Sequence, residues 1–188
     1  MLRVISGKYR SRQLKEVNRE LTRPTTDKNK EVLFNTLGQY FDGGKALDLF
    51  AGSGSLGIEA ISRGMDYCDF VDSQVLAVKT ISENLHNLKV SEQVKTIKKD
   101  VFLFLQETDQ KYDLIMADPP YKLDRYLEIL DLILSRQLLY DSGIIVLESN
   151  SETILPDEYK GLIKYKEKIL GSTRFSLFEY KKEGNLWK

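Results

Sequence analysis

The residues best suited to chemistry in this chain are four in a row: Asp118, Pro119, Pro120 and Tyr121. They follow residues 112–117, a run that predicts a strand, and two prolines cannot continue its hydrogen-bond ladder. We therefore predict a rigid turn at the carboxyl end of a strand, the edge where open α/β sheets bind ligands. A carboxylate, a proline carbonyl and an aromatic ring in that turn could hold a flat group that carries an exocyclic amine. All four residues are candidate catalytic residues.

Such a turn could activate an aromatic amine, which is a poor nucleophile because its lone pair is delocalised into the ring. Hydrogen bonds from the two amine protons to the Asp118 carboxylate and the Pro119 carbonyl would favour the pyramidal form that attacks. Pre-organised acceptors would also stabilise the positive charge that develops on the nitrogen. Tyr121 would stack on the base, a contact worth roughly 1–3 kcal/mol. The alternative is a turn with a purely structural role.

A second motif, residues 48–57, has the strand, glycine-rich turn and helix start of a cofactor cradle. Gly52 and Gly54 allow a tight turn and a close approach of the backbone to a ligand. The spacing of Gly52, Gly54 and Gly57 also fits the dinucleotide fingerprint G-x-G-x-x-G. Asp72, at the next predicted strand end, could hold ribose hydroxyls with either cofactor.

Two acidic residues favour S-adenosylmethionine (SAM) over a dinucleotide. Asp48 would repel a pyrophosphate but suits the ammonium group of SAM, whose carboxylate could use the helix N-terminus. Asp100, at the third predicted strand end, is placed to accept a hydrogen bond from the adenine amine. An NAD-linked oxidoreductase is the alternative, but His86 is the only histidine and no hydride-transfer partner is evident. The candidate cofactor-binding residues are Asp48, Phe50, Gly52, Gly54, Asp72, Ser73, Asp100 and Val101.

Strand and helix patterns alternate along the chain, which predicts an α/β fold with a doubly wound parallel sheet. The last two predicted strands should form an antiparallel hairpin around Gly171. The combination predicts a Rossmann-like class I methyltransferase sheet of seven strands, mostly parallel, with a small N-terminal β-hairpin extension. We expect residues 1–22 to form a basic arm and residues 23–188 to form the methyltransferase domain. The predicted strands are 46–50, 67–72, 94–99, 112–118, 143–148, 163–170 and 173–181.

Charge is distributed unevenly in this chain of 188 residues, whose formal net charge is zero. Residues 1–30 contain nine lysines and arginines and three acidic residues, so this segment is +6 and the remainder is −6. Such asymmetry indicates an arm that binds a polyanion, and a solvated charged hairpin is the alternative. The candidate polyanion-binding residues are Arg3, Lys8, Arg10, Arg12 and Arg23, and the family resemblance described below implies that the polyanion is RNA.

The overall composition is typical of a soluble globular protein, with 41% apolar and 30% charged residues. The single cysteine, Cys68, excludes an internal disulfide, and one histidine leaves a metal site short of its usual ligands. No apolar run approaches membrane-spanning length, and no signal peptide is evident. We therefore expect a cytoplasmic enzyme with no metal and no membrane partner.

The order and spacing of the motifs resemble those of class I amino-methyltransferases, through residues 48–60, Asp72, Asp100 and the 118–121 turn. The 118–121 motif is shared with adenine-N6 DNA methyltransferases and does not specify the base. An adenine-N6 methyltransferase on DNA or RNA is thus an alternative, although 188 residues leave no separate target-recognition domain. A non-catalytic RNA-binding module is a further alternative, which the intact acid and tyrosine of the 118–121 motif disfavour.

The N-terminal segments distinguish between methyltransferase families better than the 118–121 motif does. Residues 3–10, 23–28 and 31–37 resemble the RsmD family, and the resemblance covers nearly the whole chain. Members of this family are bacterial enzymes that methylate guanine N2 in 16S ribosomal RNA (rRNA). The resemblance implies SAM as cofactor and 16S rRNA, in an assembling 30S subunit, as substrate; we expect a monomer. It also implies that the arm and the Arg23 region contact RNA or close over SAM. The chain departs from the family near Ser11 and at Ser6–Gly7, where paired glycines are usual.

Overall fold

The computed structural model describes residues 2–17, 26–90 and 92–182. The helices are α1 (Asp27–Leu37), α2 (Ser55–Ser62), α3 (Val75–Leu88), α4 (Val101–Glu107) and α5 (Tyr126–Ser135). The strands are β1 (Leu2–Arg3), β2 (Gln13–Leu14), β3 (Lys45–Leu49), β4 (Tyr67–Asp72), β5 (Val94–Lys98), β6 (Tyr112–Ala117), β7 (Leu139–Asn150), β8 (Glu158–Tyr159), β9 (Leu162–Leu170) and β10 (Thr173–Tyr180). None of the helices in these segments is long and apolar enough to span a membrane.

The main sheet has the order β5-β4-β3-β6-β7-β10-β9-β8. Strands β5, β4, β3, β6 and β7 are parallel, and β10, β9 and β8 continue the sheet with antiparallel pairing. This confirms the predicted class I methyltransferase fold and its antiparallel C-terminal hairpin. The prediction of seven strands was wrong by one, because β8 pairs two residues with β9 at the sheet edge. Two residues are too short to show a periodic pattern.

Both faces of the sheet are covered, which explains why the central strands read as nearly continuous apolar runs. One buried cluster joins α1, α2 and α3 to one face, and the other joins α4 and α5 to the opposite face. Neighbouring residues of β3 alternate between them: Ala46 lies in the first cluster, and Leu47 lies in the second. The helices therefore hold the strand ends, and the loops that follow them, in fixed positions.

The N-terminal arm is a two-stranded β-ribbon packed on the first cluster. β1 pairs antiparallel with β2, with Leu2 opposite Leu14. Leu2, Val4 and Leu14 are buried among the residues of that cluster. The predicted division of the chain after residue 22 lies outside the described residues and stays a prediction.

Candidate active site

The carboxyl ends of β3, β4 and β6 lie side by side, because β3 pairs in parallel with both neighbours. The end of β3 and the turn that follows it are hydrogen-bonded to these neighbours. The Ala51 amide donates to the Val71 carbonyl at 3.1 Å, and the Asp118 amide donates to the Leu49 carbonyl at 3.3 Å. The strand order reverses between β3 and β6, and such switch points are where open α/β sheets bind ligands. The structure thus brings both sequence motifs to one place.

The glycine-rich turn has the backbone geometry of a cradle. Phe50, Gly52 and Gly54 have left-handed φ angles of 57°, 56° and 77°, and such a conformation is uncommon for a bulky residue such as Phe50. Gly54 is the N-cap of α2 and has no side chain to cap the helix, so the helix start suits a carboxylate. The Ser55 hydroxyl is buried in this first helical turn with no hydrogen-bond partner. Burial of an unpaired hydroxyl costs about 1–3 kcal/mol, a cost that a polar ligand would relieve.

Asp48 lies beneath this turn with only 1% of its surface exposed. Its Oδ2 accepts a hydrogen bond from the Gly57 amide at 2.9 Å, which ties β3 to the first turns of α2. Burial raises the pKa of Asp48 well above its usual value, opposed by the Gly57 bond and reinforced by the charges of Asp118 and Asp72. The three acids therefore lie in one region of the site, and a bound cation such as an ammonium group would favour the ionised form of Asp48.

Asp72 organises the cradle through both of its carboxylate oxygens. Oδ2 accepts from the Gly52 amide at 2.9 Å, and Oδ1 accepts from the Gln74 amide at 2.8 Å. Each carboxylate oxygen can accept a second hydrogen bond, so a ribose hydroxyl can still be bound. The neighbouring Ser73 is exposed at the same strand end. Sequence reasoning placed Asp72 at the ligand, but did not anticipate its bonds to the glycine-rich turn.

Asp100 is the N-cap of α4. Its Oδ1 accepts from the amides of Phe102 (2.9 Å) and Leu103 (3.1 Å). The adjacent Val101 is 2% exposed and packs in the second core cluster. Phe102 connects this helix to the glycine-rich turn, since its ring makes an edge contact with Phe50 at a centroid distance of 6.2 Å. The structure therefore gives Asp100 a capping role, and any contact with adenine would come in addition.

The 118–121 turn has the form expected from its prolines. The Pro120 carbonyl accepts from the Leu123 amide at 2.7 Å, which closes the turn. Asp118 is half-buried, Pro119 is buried and Pro120 is exposed. Tyr121 is 42% exposed, so its ring is accessible to a base that approaches from solvent. An acceptor and an aromatic face are thus presented next to the cradle.

Two residues near this turn were not identified from sequence: Tyr126, at the start of α5, and Glu148, in β7. Tyr126 is 3% exposed, and its hydroxyl has no hydrogen-bond partner. Burial raises its pKa to about 12, and the charges of Asp118 and Glu148 contribute. Glu148 is itself buried. It follows Leu147 in β7, and Leu147 pairs with Ala117, the residue directly before Asp118. In the apolar pattern of α5, Tyr126 cannot be told apart from an ordinary packing residue.

The basic arm presents its candidate RNA-binding residues to solvent. Arg3, Lys8, Arg10 and Arg12 are all exposed, whereas Arg23 lies outside the described residues. Arg3 pairs with Asp27 at 2.8 Å, and Arg12 donates to the Asn87 carbonyl at 3.0 Å. These exposed contacts contribute little to stability, so both side chains could exchange them for phosphates.

A buried carboxylate, Glu59 of α2, holds the arm in place. It accepts from the Ile5 amide at 2.8 Å, the Ser6 amide at 3.0 Å and Arg63 Nε at 2.7 Å. Lys30 Nζ lies 3.8 Å from Glu59 and donates to the Arg3 carbonyl. Burial lowers the pKa of Lys30, and the charge of Glu59 opposes that effect. A glutamate within the otherwise apolar run of α2 was the signal that could have indicated this role.

The comparisons with known proteins agree with this geometry. The family described as Conserved hypothetical protein 95 matches residues 2–179. The YlbH protein of Bacillus subtilis (strain 168) is 42% identical over 97% of this chain and 100% of its own length. Ribosomal RNA small subunit methyltransferase D of Haemophilus influenzae is 33% identical, over 95% of this chain and 93% of its own.

This chain belongs to the RsmD family. The solved structure of the Escherichia coli protein yhhF superimposes on it with a TM-score of 0.83 and 28% identity, over 96% of this chain and 98% of the other. The resemblance seen in the sequence motifs is therefore confirmed. Within the described residues of this RsmD-family protein, no group of three or more His, Cys, Asp or Glu side chains is arranged to hold a metal ion.

Proposed function

We propose that this RsmD-family protein transfers a methyl group from SAM to the exocyclic N2 amine of a guanine in 16S rRNA. The observation that carries the proposal is the hydrogen bond from the Asp118 amide to the carbonyl of Leu49, the strand residue directly before the glycine-rich segment. Because of it, an amine held by Asp118 would lie beside a cofactor held in the glycine-rich turn. The names of relatives in Escherichia coli and Haemophilus influenzae, both "Ribosomal RNA small subunit methyltransferase D", support the choice of substrate.

The residues around the glycine-rich turn fit SAM. The start of α2, whose N-cap Gly54 has no side chain, and the unpaired Ser55 hydroxyl suit its carboxylate, and the charges of Asp118 and Asp72 around Asp48 suit its ammonium group. Asp72 would bind the ribose hydroxyls, and Asp100 would accept from the adenine amine. When bound, SAM supplies an electrophilic methyl group on a sulfonium.

The 118–121 turn would activate the acceptor. The carboxylate of Asp118 and the carbonyl of Pro119 would accept hydrogen bonds from the two protons of the amine, which localises its lone pair for attack. The same acceptors would stabilise the charge that develops on nitrogen, and Asp118 could then receive the released proton. Tyr121 would stack on the base, which must leave its helix or loop to reach the turn.

The exposed basic face of the arm would bind rRNA phosphates, and this binding should weaken as the salt concentration rises. We propose that the substrate is the rRNA of an assembling 30S subunit in the cytoplasm and that the protein acts as a monomer. The exposed arginines and lysines of the arm support rRNA as the substrate, because they are accessible to phosphates.

The test is methyl transfer from labelled SAM to small subunits, and to 16S rRNA, from a strain that lacks the modification. After digestion, the labelled nucleoside identifies the reaction, and Asp118→Asn is the matched control because it keeps the shape of the side chain and removes its charge. We expect N2-methylguanosine with the wild type and almost none with Asp118→Asn, at unchanged SAM affinity. Labelled N6-methyladenosine would favour the adenine alternative, and no label from a protein that binds SAM would refute the proposal.

A further inference from the structure

One buried amide side chain joins three segments of the structure. Asn84 lies in α3 and is 1% exposed. Its Oδ1 accepts from the Lys15 amide at 2.7 Å, and its Nδ2 donates to the Lys15 carbonyl at 3.0 Å. Nδ2 also donates to the Ser53 carbonyl at 3.0 Å. Lys15 directly follows β2 of the arm, and Ser53 lies in the glycine-rich turn.

The chemistry of this bridge needs a carboxamide. A single side chain must accept one hydrogen bond from an amide and donate two to carbonyls, and both protons of Nδ2 are used. An aspartate has no proton to donate, and an aliphatic residue would leave the Ser53 and Lys15 carbonyls unsatisfied. All three partners are backbone atoms, so Asn84 is the one side chain that forms this bridge.

The glycine-rich turn depends on such anchors. Ser53 stands between Gly52 and Gly54, two residues that can adopt many backbone conformations. Asp72 fixes one side of the turn through the Gly52 amide at 2.9 Å, and Asn84 fixes the next carbonyl. The position of Asn84 is in turn supported by the arm, through the two hydrogen bonds with Lys15.

We propose that Asn84 is a positioning residue that links the basic arm to the SAM-binding turn, so that arm docking and SAM binding strengthen one another. The inference rests on the proposed function, which places SAM in this turn and RNA on the arm. Thermodynamic linkage makes the effect reciprocal: an arm that is held in place favours the bound form of the turn, and SAM favours the docked arm. RNA that holds the arm would then also favour retention of the cofactor.

The first test separates the backbone of Lys15 from its side chain. Lys15→Pro removes the amide that donates to Asn84, and Leu14 before it is already in a strand, which a following proline tolerates. Lys15→Gln is the matched control, because it keeps that amide and loses only the exposed ion pair with Glu83. By calorimetry we expect SAM to bind Lys15→Pro roughly two- to tenfold more weakly than the wild type, the effect of about one hydrogen bond. Lys15→Gln should bind SAM like the wild type.

A second measurement uses the wild type and does not depend on the folding of the proline variant. SAM should slow the hydrogen exchange of the amides at residues 13–17, although these residues belong to the arm and not to the turn. In Asn84→Ala this protection by SAM should be lost. Equal SAM affinity of the two Lys15 variants, or arm exchange that SAM does not change in the wild type, would overturn the link. A wild type that binds no SAM at all would instead overturn the proposed function as well.

Discussion

The replacement of Gly7 by alanine tests how the arm is held on the domain. Gly7 has a left-handed φ of 86°, and a Cβ there would lie 1.8 Å from the Ser62 carbonyl oxygen and 2.3 Å from its carbon. Both atoms are backbone at the end of α2, so they cannot rotate away as a side-chain tip could. The arm turn around residue 7 must therefore lift off the helix.

Three hydrogen bonds connect that turn to Ser62. The Lys8 amide donates to the Ser62 carbonyl at 2.7 Å, the Tyr9 amide donates to Ser62 Oγ at 3.0 Å, and Ser62 Oγ donates to the Ser6 carbonyl at 2.6 Å. At about 0.5–1.5 kcal/mol each, with about 1–2 kcal/mol for the strain of a left-handed alanine added, Gly7→Ala should lower the free energy of unfolding by about 2.5–6.5 kcal/mol. Urea denaturation measures this loss.

Gly161→Ala is the matched control. Its φ is also positive, at 89°, but a Cβ there meets nothing within 4 Å, so only the backbone strain of about 1–2 kcal/mol is expected. The displaced arm should also reduce affinity for 16S rRNA in Gly7→Ala but not in Gly161→Ala. If Gly7→Ala is no less stable than Gly161→Ala and binds RNA equally well, the turn around residue 7 does not hold the arm on the domain.

Three further predictions concern the site itself. Asp72→Ala removes the acceptor of the Gly52 and Gln74 amides and should weaken SAM binding at least about tenfold by calorimetry, whereas unchanged affinity would remove Asp72 from the site. Burial raises the pKa of Asp48, so the ionisation of this residue destabilises the folded wild type as the pH rises. Asp48→Asn cannot ionise and keeps an acceptor for the Gly57 amide. In urea titrations, the stability of this variant relative to the wild type should therefore increase from about pH 4 to about pH 7. A relative decrease over that range would contradict this account. Tyr121→Ala should raise the KM for rRNA by roughly 5- to 100-fold and Tyr121→Phe should not, and equal KM values would argue against stacking.

Local sequence signals determined the element order and the position of the site. The two prolines of the 118–121 motif end β6 whatever its tertiary contacts are. In the same way, the glycines at 52 and 54 permit the turn after β3 independently of the residues that pack around it. Alternating strand and helix patterns then imply a parallel sheet, and in such a sheet the strand ends share one edge. For these reasons the fold class and the juxtaposition of the two motifs could be predicted from residues close together in the chain.

Tertiary structure decided which distant groups each polar side chain meets. Glu59 accepts from amides more than 50 residues away, and Asn84 connects an arm residue 69 positions earlier to the glycine-rich turn. Asp100 caps its own helix, and burial together with the charge of Asp118 raises the pKa of the Tyr126 hydroxyl. A sequence shows that a side chain can donate or accept a hydrogen bond, but its partner is set by the folded path of the backbone. The position of the site therefore follows from local chain chemistry, and the attachment of the arm to that site follows from contacts that exist only after folding.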